Sequence, residues 1–141
     1  MDKISCIVPA YNEEKRIGNV LKILESHPLV DELIVINDGS TDKTKKVLAR
    51  YQREKGFRIV TFIKNRGKGA VVQQGMLSAN GRYLIFVAAD NAIAMNHIEN
   101  FWPYINGDYD VVIGSIEIEG SVKKEEYTGF SKVYRNVLGK L

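Results

Sequence analysis

The run Ile4-Ser5-Cys6-Ile7-Val8-Pro9-Ala10-Tyr11-Asn12-Glu13-Glu14 sets an apolar, β-branched stretch directly against a polar, turn-forming one. Residues 4–8 are almost continuously apolar, which is the pattern of a strand covered on both faces, and such strands belong to parallel sheets packed between helices. Four more short runs share the pattern: Leu33–Ile36, Arg58–Ile63, Tyr83–Val87 and Val111–Ile113. Longer stretches with helical spacing separate them. The alternation predicts an α/β fold, a doubly wound, mostly parallel sheet with helices on both faces.

The helices are expected where capping chemistry precedes an apolar stripe. Asn12 is placed to cap a first helix, with Glu13 and Glu14 in its first turn and Ile17, Val20, Leu21 and Leu24 as its buried face. Thr41 is expected to cap a second, running to about Lys55 and ended by Gly56. A third runs from about Lys68 to Asn80, with Gly81 as a left-handed stop, and a fourth from Met95 to Ile105 despite Pro103.

Composition narrows the functional classes. The 141 residues, 45% hydrophobic and 26% charged, suit a globular chain with one principal core. A net charge of +3, with basic residues dispersed among acidic ones, argues against a nucleic-acid partner and suits an anionic small substrate. Cys6 is the sole cysteine, so no internal disulfide forms; its apolar setting marks it as a packing residue in a reducing, cytoplasmic compartment. No stretch reaches the roughly 20 apolar residues of a membrane span. The expected organisation is an α/β domain over residues 1–115, followed by an amphipathic segment over 116–141 that ends without a stop signal, as if shortened at the C-terminus.

In open parallel sheets, ligands bind beyond the carboxyl ends of the strands, and the unusual polar residues cluster there. Strand one is followed by Pro9-Ala10-Tyr11-Asn12-Glu13-Glu14, strand two by Asn37-Asp38-Gly39-Ser40-Thr41-Asp42, strand three by Asn65-Arg66-Gly67-Lys68-Gly69, and strand four by Ala88-Ala89-Asp90-Asn91. Over residues 4–115 this ordered set resembles glycosyltransferase family 2, which has the GT-A fold, and within it the dolichyl-phosphate and undecaprenyl-phosphate mannosyl- or glucosyltransferases. Each motif alone is weak; four in order at strand ends are specific.

The resemblance implies an enzyme that binds a UDP- or GDP-type nucleotide sugar and transfers a hexose, with inversion, to a polyprenyl phosphate or a saccharide. Pro9, Ala10 and Tyr11 correspond to the turn that meets the nucleotide, with Tyr11 placed to pack on the base; Glu13 stands between a ligand role and a helix-dipole charge. Asn37 and Asp38 can accept the imide N–H of uracil or the N1–H of guanine, although Asp-Gly-Ser-Thr-Asp is also good turn chemistry by itself. Arg66, Gly67 and Lys68 put flexible backbone and two cations at a helix start, which suits a diphosphate. Ala89 and Asp90 close the site, Asp90 serving as the catalytic carboxylate and ligand of a Mg²⁺ or Mn²⁺ ion.

Two positions depart from the family pattern. Ala88 stands where a first carboxylate is usual, which weakens the metal site unless phosphate oxygens and waters complete it. Ile116 follows Gly114-Ser115 where an anion-binding Arg is common, and Glu117 and Glu119 match no motif for a general base. A nucleotide-sugar-binding domain without turnover is therefore the alternative reading. His27 and His97 fit no ligand spacing, and Phe101 and Trp102 read as core. The aromatic and basic mixture of Tyr127, Lys132, Tyr134 and Arg135 suits either a peripheral membrane contact or packing on the sheet or on a second copy.

Overall fold

The computed structural model describes residues 4–89, 98–105, 107 and 109–114. The chain divides into two units, Met1–Pro103 and Tyr104–Leu141. The first holds four parallel strands, β1 (Ile4–Ala10), β2 (Val30–Asn37), β3 (Arg58–Thr61) and β4 (Tyr83–Phe86), in the order β3-β2-β1-β4. The chain therefore winds outward from β1 through β2 to β3, then returns past its start to lay β4 on the other side of β1. That reversal creates a switch point between β1 and β4.

The sheet is apolar on both faces, as the sequence pattern predicts. Cys6, Val8 and Ala10 of β1, with Leu33 and Val35 of β2, pack against Ile17, Val20, Leu21 and Leu24 of α1 (Ile17–Glu25) and Leu48 and Tyr51 of α2 (Thr44–Lys55). Ile98, which opens α4 (Ile98–Ile105), and Val87 and Ala89 beyond β4 join the same cluster. Ile7, Ile34 and Ile36 point the other way, against Val71 of α3 (Lys68–Ser78). The Tyr51 hydroxyl donates to the Gly18 carbonyl at 2.9 Å, and its ring stacks on Phe57, which ties α2 to α1.

α3 approaches the sheet closely at Gly75. A Cβ there would lie 2.3 Å from Ile7 Cγ2, so only hydrogen fits between this helix and the central strand. At the amino end of the sheet, Glu32 accepts from the Ser5 hydroxyl at 2.5 Å, from the Asn80 backbone N–H at 2.8 Å and from its side-chain amide at 2.9 Å, with Arg58 at 3.5 Å. Partial burial pulls this carboxyl upward, but the Asn80 and Ser5 hydrogen bonds and the Arg58 charge outweigh it, leaving Glu32 below the usual carboxylate range.

Several boundaries differ from expectation. β1 runs on through Pro9, whose missing donor does not end the pairing, because the Asp38 N–H reaches the Ala10 carbonyl at 2.9 Å. Asn12 does not cap α1: the helix starts five residues later, and the Asn12 side chain is committed to another loop. Thr41 does not cap α2; Asp42 Oδ1 accepts the Thr44 N–H at 2.9 Å instead. The stop at Gly56 holds, with φ +71°. Gly81 is not left-handed: α3 ends when Ala79 turns extended, and the Gly81 N–H is held by the Ser5 hydroxyl at 2.8 Å.

In the second unit, Val111–Ile113 form no strand. Val111 and Ile113 are exposed, and three β-branched residues with no ladder neighbour among the described residues do not make a strand by themselves. Tyr104 and Tyr109 meet edge to face at 6.4 Å, above a turn closed by the Gly107 N–H on the Tyr104 carbonyl. The expected segment 116–141, with Glu117, Glu119, Tyr127, Lys132, Tyr134 and Arg135, lies outside the described residues, as do Met95 and His97.

Candidate functional site

The carboxyl ends of β1, β2 and β3 carry three loops that are bonded to one another. Asp38 follows β2, and its carboxylate is nearly buried at 4% exposure. Its two oxygens accept the backbone N–H groups of Arg66, at 2.7 Å, and Gly67, at 3.0 Å. Gly67 has φ +86°, a conformation that costs glycine little, and the chain turns there straight into α3. Gly39, at φ +68°, lies against the same loop: a Cβ there would meet Asn65 N and the Lys64 carbonyl carbon at 2.7 Å. Asp38 and Gly39 thus fix the backbone that presents Arg66, Gly67 and Lys68.

Both cations of this loop are exposed and rest on aromatic rings. The Arg66 guanidinium lies 4.6 Å from the centre of the Phe62 ring, and Lys68 Nζ lies 5.4 Å from that of Phe86 on β4. The second contact matters most for the site, since it shows that the start of α3 reaches across to β4, beside the switch point. A recess of about 630 Å³ lined by Thr61–Arg66 opens next to the Arg66 side of the loop.

The loop after β1 is laced to the loop after β2. The Asn12 N–H donates to the Ser40 hydroxyl at 3.0 Å, the Glu13 N–H to the Thr44 hydroxyl at 2.8 Å, and the Glu14 N–H to Asp42 Oδ2 at 3.1 Å. In return, Glu14 Oε2 accepts the Lys43 N–H at 2.8 Å. The Asp42 carboxyl is pulled upward by desolvation, but bonds from Thr44 and the Glu14 N–H hold it below its ordinary value. The Glu13 carboxylate is taken by Arg16, at 2.8 Å to Nε and 3.3 Å to Nη2.

The structure therefore brings most of the residues expected from the sequence to one edge. Pro9 is half-buried, Ala10 is buried, and Tyr11 projects at 46% exposure. Asn37 is 1% exposed; its Oδ1 accepts the Ser40 N–H at 3.2 Å, while its Nδ2 is the one buried side-chain polar atom without a partner among the described residues. Ala89 is buried beyond β4, and Ala88 is half-buried and brings no oxygen. Asp90 and Asn91 lie outside the described residues. Among the described residues no group of three His, Cys, Asp or Glu side chains could hold a metal ion. His27 serves a turn, its Nδ1 accepting the Leu29 N–H at 3.3 Å.

Sequence reasoning missed the cross-loop roles of Asn12, Ser40 and Thr44 and the rings beneath the cations. One sign was available for Asn12, since asparagine in a turn two residues past a strand end tolerates left-handed backbone. No one-dimensional sign pairs Phe62 with Arg66 or Phe86 with Lys68.

Comparison with known proteins agrees with this fold. Residues 5–137 match the family description "Glycosyl transferase family 2". A dolichyl-phosphate beta-glucosyltransferase of Drosophila melanogaster is 42% identical over 102 residues, covering 64% of this chain and 31% of the relative. The Homo sapiens protein of that name is 35% identical over 116 residues, 74% of this chain and 36% of the relative. The chain thus spans about a third of the length of these two relatives. Among solved structures, it is similar to Mycobacterium tuberculosis glucosyl-3-phosphoglycerate synthase in complex with Mn²⁺, UDP and glucosyl-3-phosphoglycerate, with TM-score 0.60 and 28% identity over 76% of this chain and 41% of that one. A mannosyltransferase from Pyrobaculum calidifontis, in complex with GDP-Man and Mn²⁺, shares the fold, with TM-score 0.67 and 22% identity over 76% of this chain and 33% of that one.

Proposed function

The chain belongs to glycosyl transferase family 2, and from that premise we propose that its strand-end crevice binds a UDP- or GDP-type nucleotide sugar for transfer of a hexose, with inversion, to a polyprenyl phosphate of the dolichyl kind or to a saccharide. The observation that carries the proposal is the Asp38 clamp, which ties the end of β2 to the turn entering α3. A nucleoside diphosphate is a line of base, ribose and charge. In this reading Tyr11 and Asn37 would meet the base, and Arg66 and Lys68 the diphosphate. The positive end of the α3 dipole adds to the two cations there.

In the proposed reaction, an acceptor oxygen attacks the anomeric carbon from the face opposite the diphosphate. The carbon–oxygen bond to the diphosphate breaks, and the nucleoside diphosphate leaves with the electron pair. Arg66 and Lys68 stabilise the charge that develops on the leaving oxygens. A phosphate acceptor is already ionised at neutral pH, so its attack requires no strong base, whereas a saccharide hydroxyl would have to pass its proton to a carboxylate acting as general base. Asp90, together with substrate phosphate oxygens, would hold a Mg²⁺ or Mn²⁺ ion, which supplies further charge neutralisation on the diphosphate. A polyprenyl phosphate acceptor would lie in a membrane, and with such an acceptor the chain would work as a peripheral contact at the cytoplasmic face; among the described residues no helix is long and apolar enough to cross a membrane.

Ala88 favours a second reading, a domain that holds the nucleotide sugar without turnover, because the half-buried methyl group offers the metal no ligand. One experiment addresses both. UDP or GDP with Mn²⁺ should raise the unfolding temperature, since a ligand at 100 times its Kd stabilises the folded state by ~2.7 kcal/mol. No shift with any nucleoside diphosphate at millimolar concentration would end both readings. Release of nucleoside diphosphate on adding a polyprenyl phosphate separates transfer from binding alone, and Ala88→Asp should tighten the Mn²⁺-dependent part of the shift.

A further inference from the structure

Asn12 has the only positive φ outside glycine among the described residues, +55°. Asparagine reaches this region more readily than most residues, and here the turn brings its side chain over the neighbouring loop. One oxygen, Oδ1, accepts the Thr41 N–H at 2.9 Å, the Thr41 hydroxyl at 3.3 Å and the Asp42 N–H at 3.3 Å. The Asn12 N–H meanwhile donates to the Ser40 hydroxyl, and the Ser40 N–H donates to Asn37 Oδ1. A short relay therefore runs from Asn12 through Ser40 to the buried amide at the end of β2.

We infer that Asn12 is a positioning residue of the nucleotide crevice, holding the Asn37–Asp42 turn in register with Tyr11 before ligand arrives. The inference rests on the reading of this edge as a nucleotide site. The Asn12 bonds are exposed, so their loss should loosen the loop locally while leaving global unfolding almost unchanged. The consequence for binding is calculable. If the turn is correctly placed only about a tenth of the time, the apparent Kd for a nucleoside diphosphate rises about tenfold, because affinity scales with the competent fraction.

Two variants of the full chain separate the oxygen from the backbone. Asn12→Gly keeps the left-handed conformation and removes Oδ1; Asn12→Asp keeps an acceptor oxygen and tolerance of that conformation. Amide hydrogen exchange without ligand should show protection at Thr41 and Asp42 falling about tenfold in Asn12→Gly and returning in Asn12→Asp. The affinity of Asn12→Gly for UDP or GDP with Mn²⁺ should fall in proportion, with its urea midpoint close to that of the parent chain. The inference is overturned if protection in Asn12→Gly matches the parent, if Asn12→Asp does not restore it, or if protection falls while affinity holds. A parent chain that binds neither nucleotide refutes the functional reading instead, and the exchange data still decide whether Asn12 orders the turn.

Discussion

Asp38 offers the sharpest test of how the crevice is built. Its carboxylate accepts two backbone N–H bonds from the loop that enters α3, and at 4% exposure water cannot readily replace them. A hydrogen bond to a charged acceptor contributes about 1.5–3 kcal/mol, and a buried donor left unpaired costs about 1–3 kcal/mol. Asp38→Asn keeps one oxygen, now neutral, and turns an NH₂ group toward the second N–H. One bond weakens and the other becomes a donor facing a donor, although the Gly67 N–H keeps Asn65 Oδ1 at 3.1 Å, so the variant should lose about 2 kcal/mol. Against a total stability of roughly 5–15 kcal/mol, and a urea m-value of about 1–3 kcal/mol/M, the midpoint should fall by about 1–2 M. Urea unfolding followed by circular dichroism measures this directly. If Asp38 contributed only to ligand contact, the variant would unfold within about 0.5 kcal/mol of the parent and lose nucleotide affinity alone, and the clamp argument would be wrong.

Three further outcomes are expected. Gly75→Ala should destabilise the chain by about 1–2 kcal/mol, since overpacking of ~2–3 kcal/mol against Ile7 exceeds the ~1 kcal/mol gained in helix propensity; combined with Ile7→Ala the two changes should couple favourably, and simple additivity in the urea midpoints would contradict the packing argument. Glu32 and Asp42 both have folded pKa values below their unfolded ones, so their contribution is present above about pH 4 and is lost as pH falls through the folded values. Thermal midpoints should therefore drop below about pH 4, less steeply in Glu32→Gln, and an identical acid profile for that variant would count against the Glu32 network. Burial pushes the Cys6 thiol up to about 12, so a thiol reagent at pH 8 should label the chain only on unfolding; rapid labelling of the native chain would show that the core is open.

The sheet was legible because its strands are short, almost wholly apolar and separated by helical stripes; Ile34 and Ile36 face one layer and Leu33 and Val35 the other. The site was legible as a set of strand ends, because polar residues placed there have few structural uses. Side-chain destinations were less readable. Asn12 looked like a cap because capping is a local rule, yet its oxygen serves residues 29 and 30 positions away. Asp38 looked like an acceptor for a base, and its carboxylate holds loop backbone, an arrangement set by the close crossing of Gly39 over Lys64 and Asn65. Val111–Ile113 carried the propensity of a strand without a neighbour, and propensity alone does not supply one.

The bonds joining the three loops have a consequence for anyone who would graft parts between relatives. A donor sequence for one loop arrives without the hydroxyl, carboxylate or glycine on which it depends in the next, so single-loop transplants should yield mismatched chimeras. The smallest exchangeable cassette is the trio 9–14, 37–44 and 64–68 taken together: three separate stretches of the chain that must be inherited, or redesigned, as one.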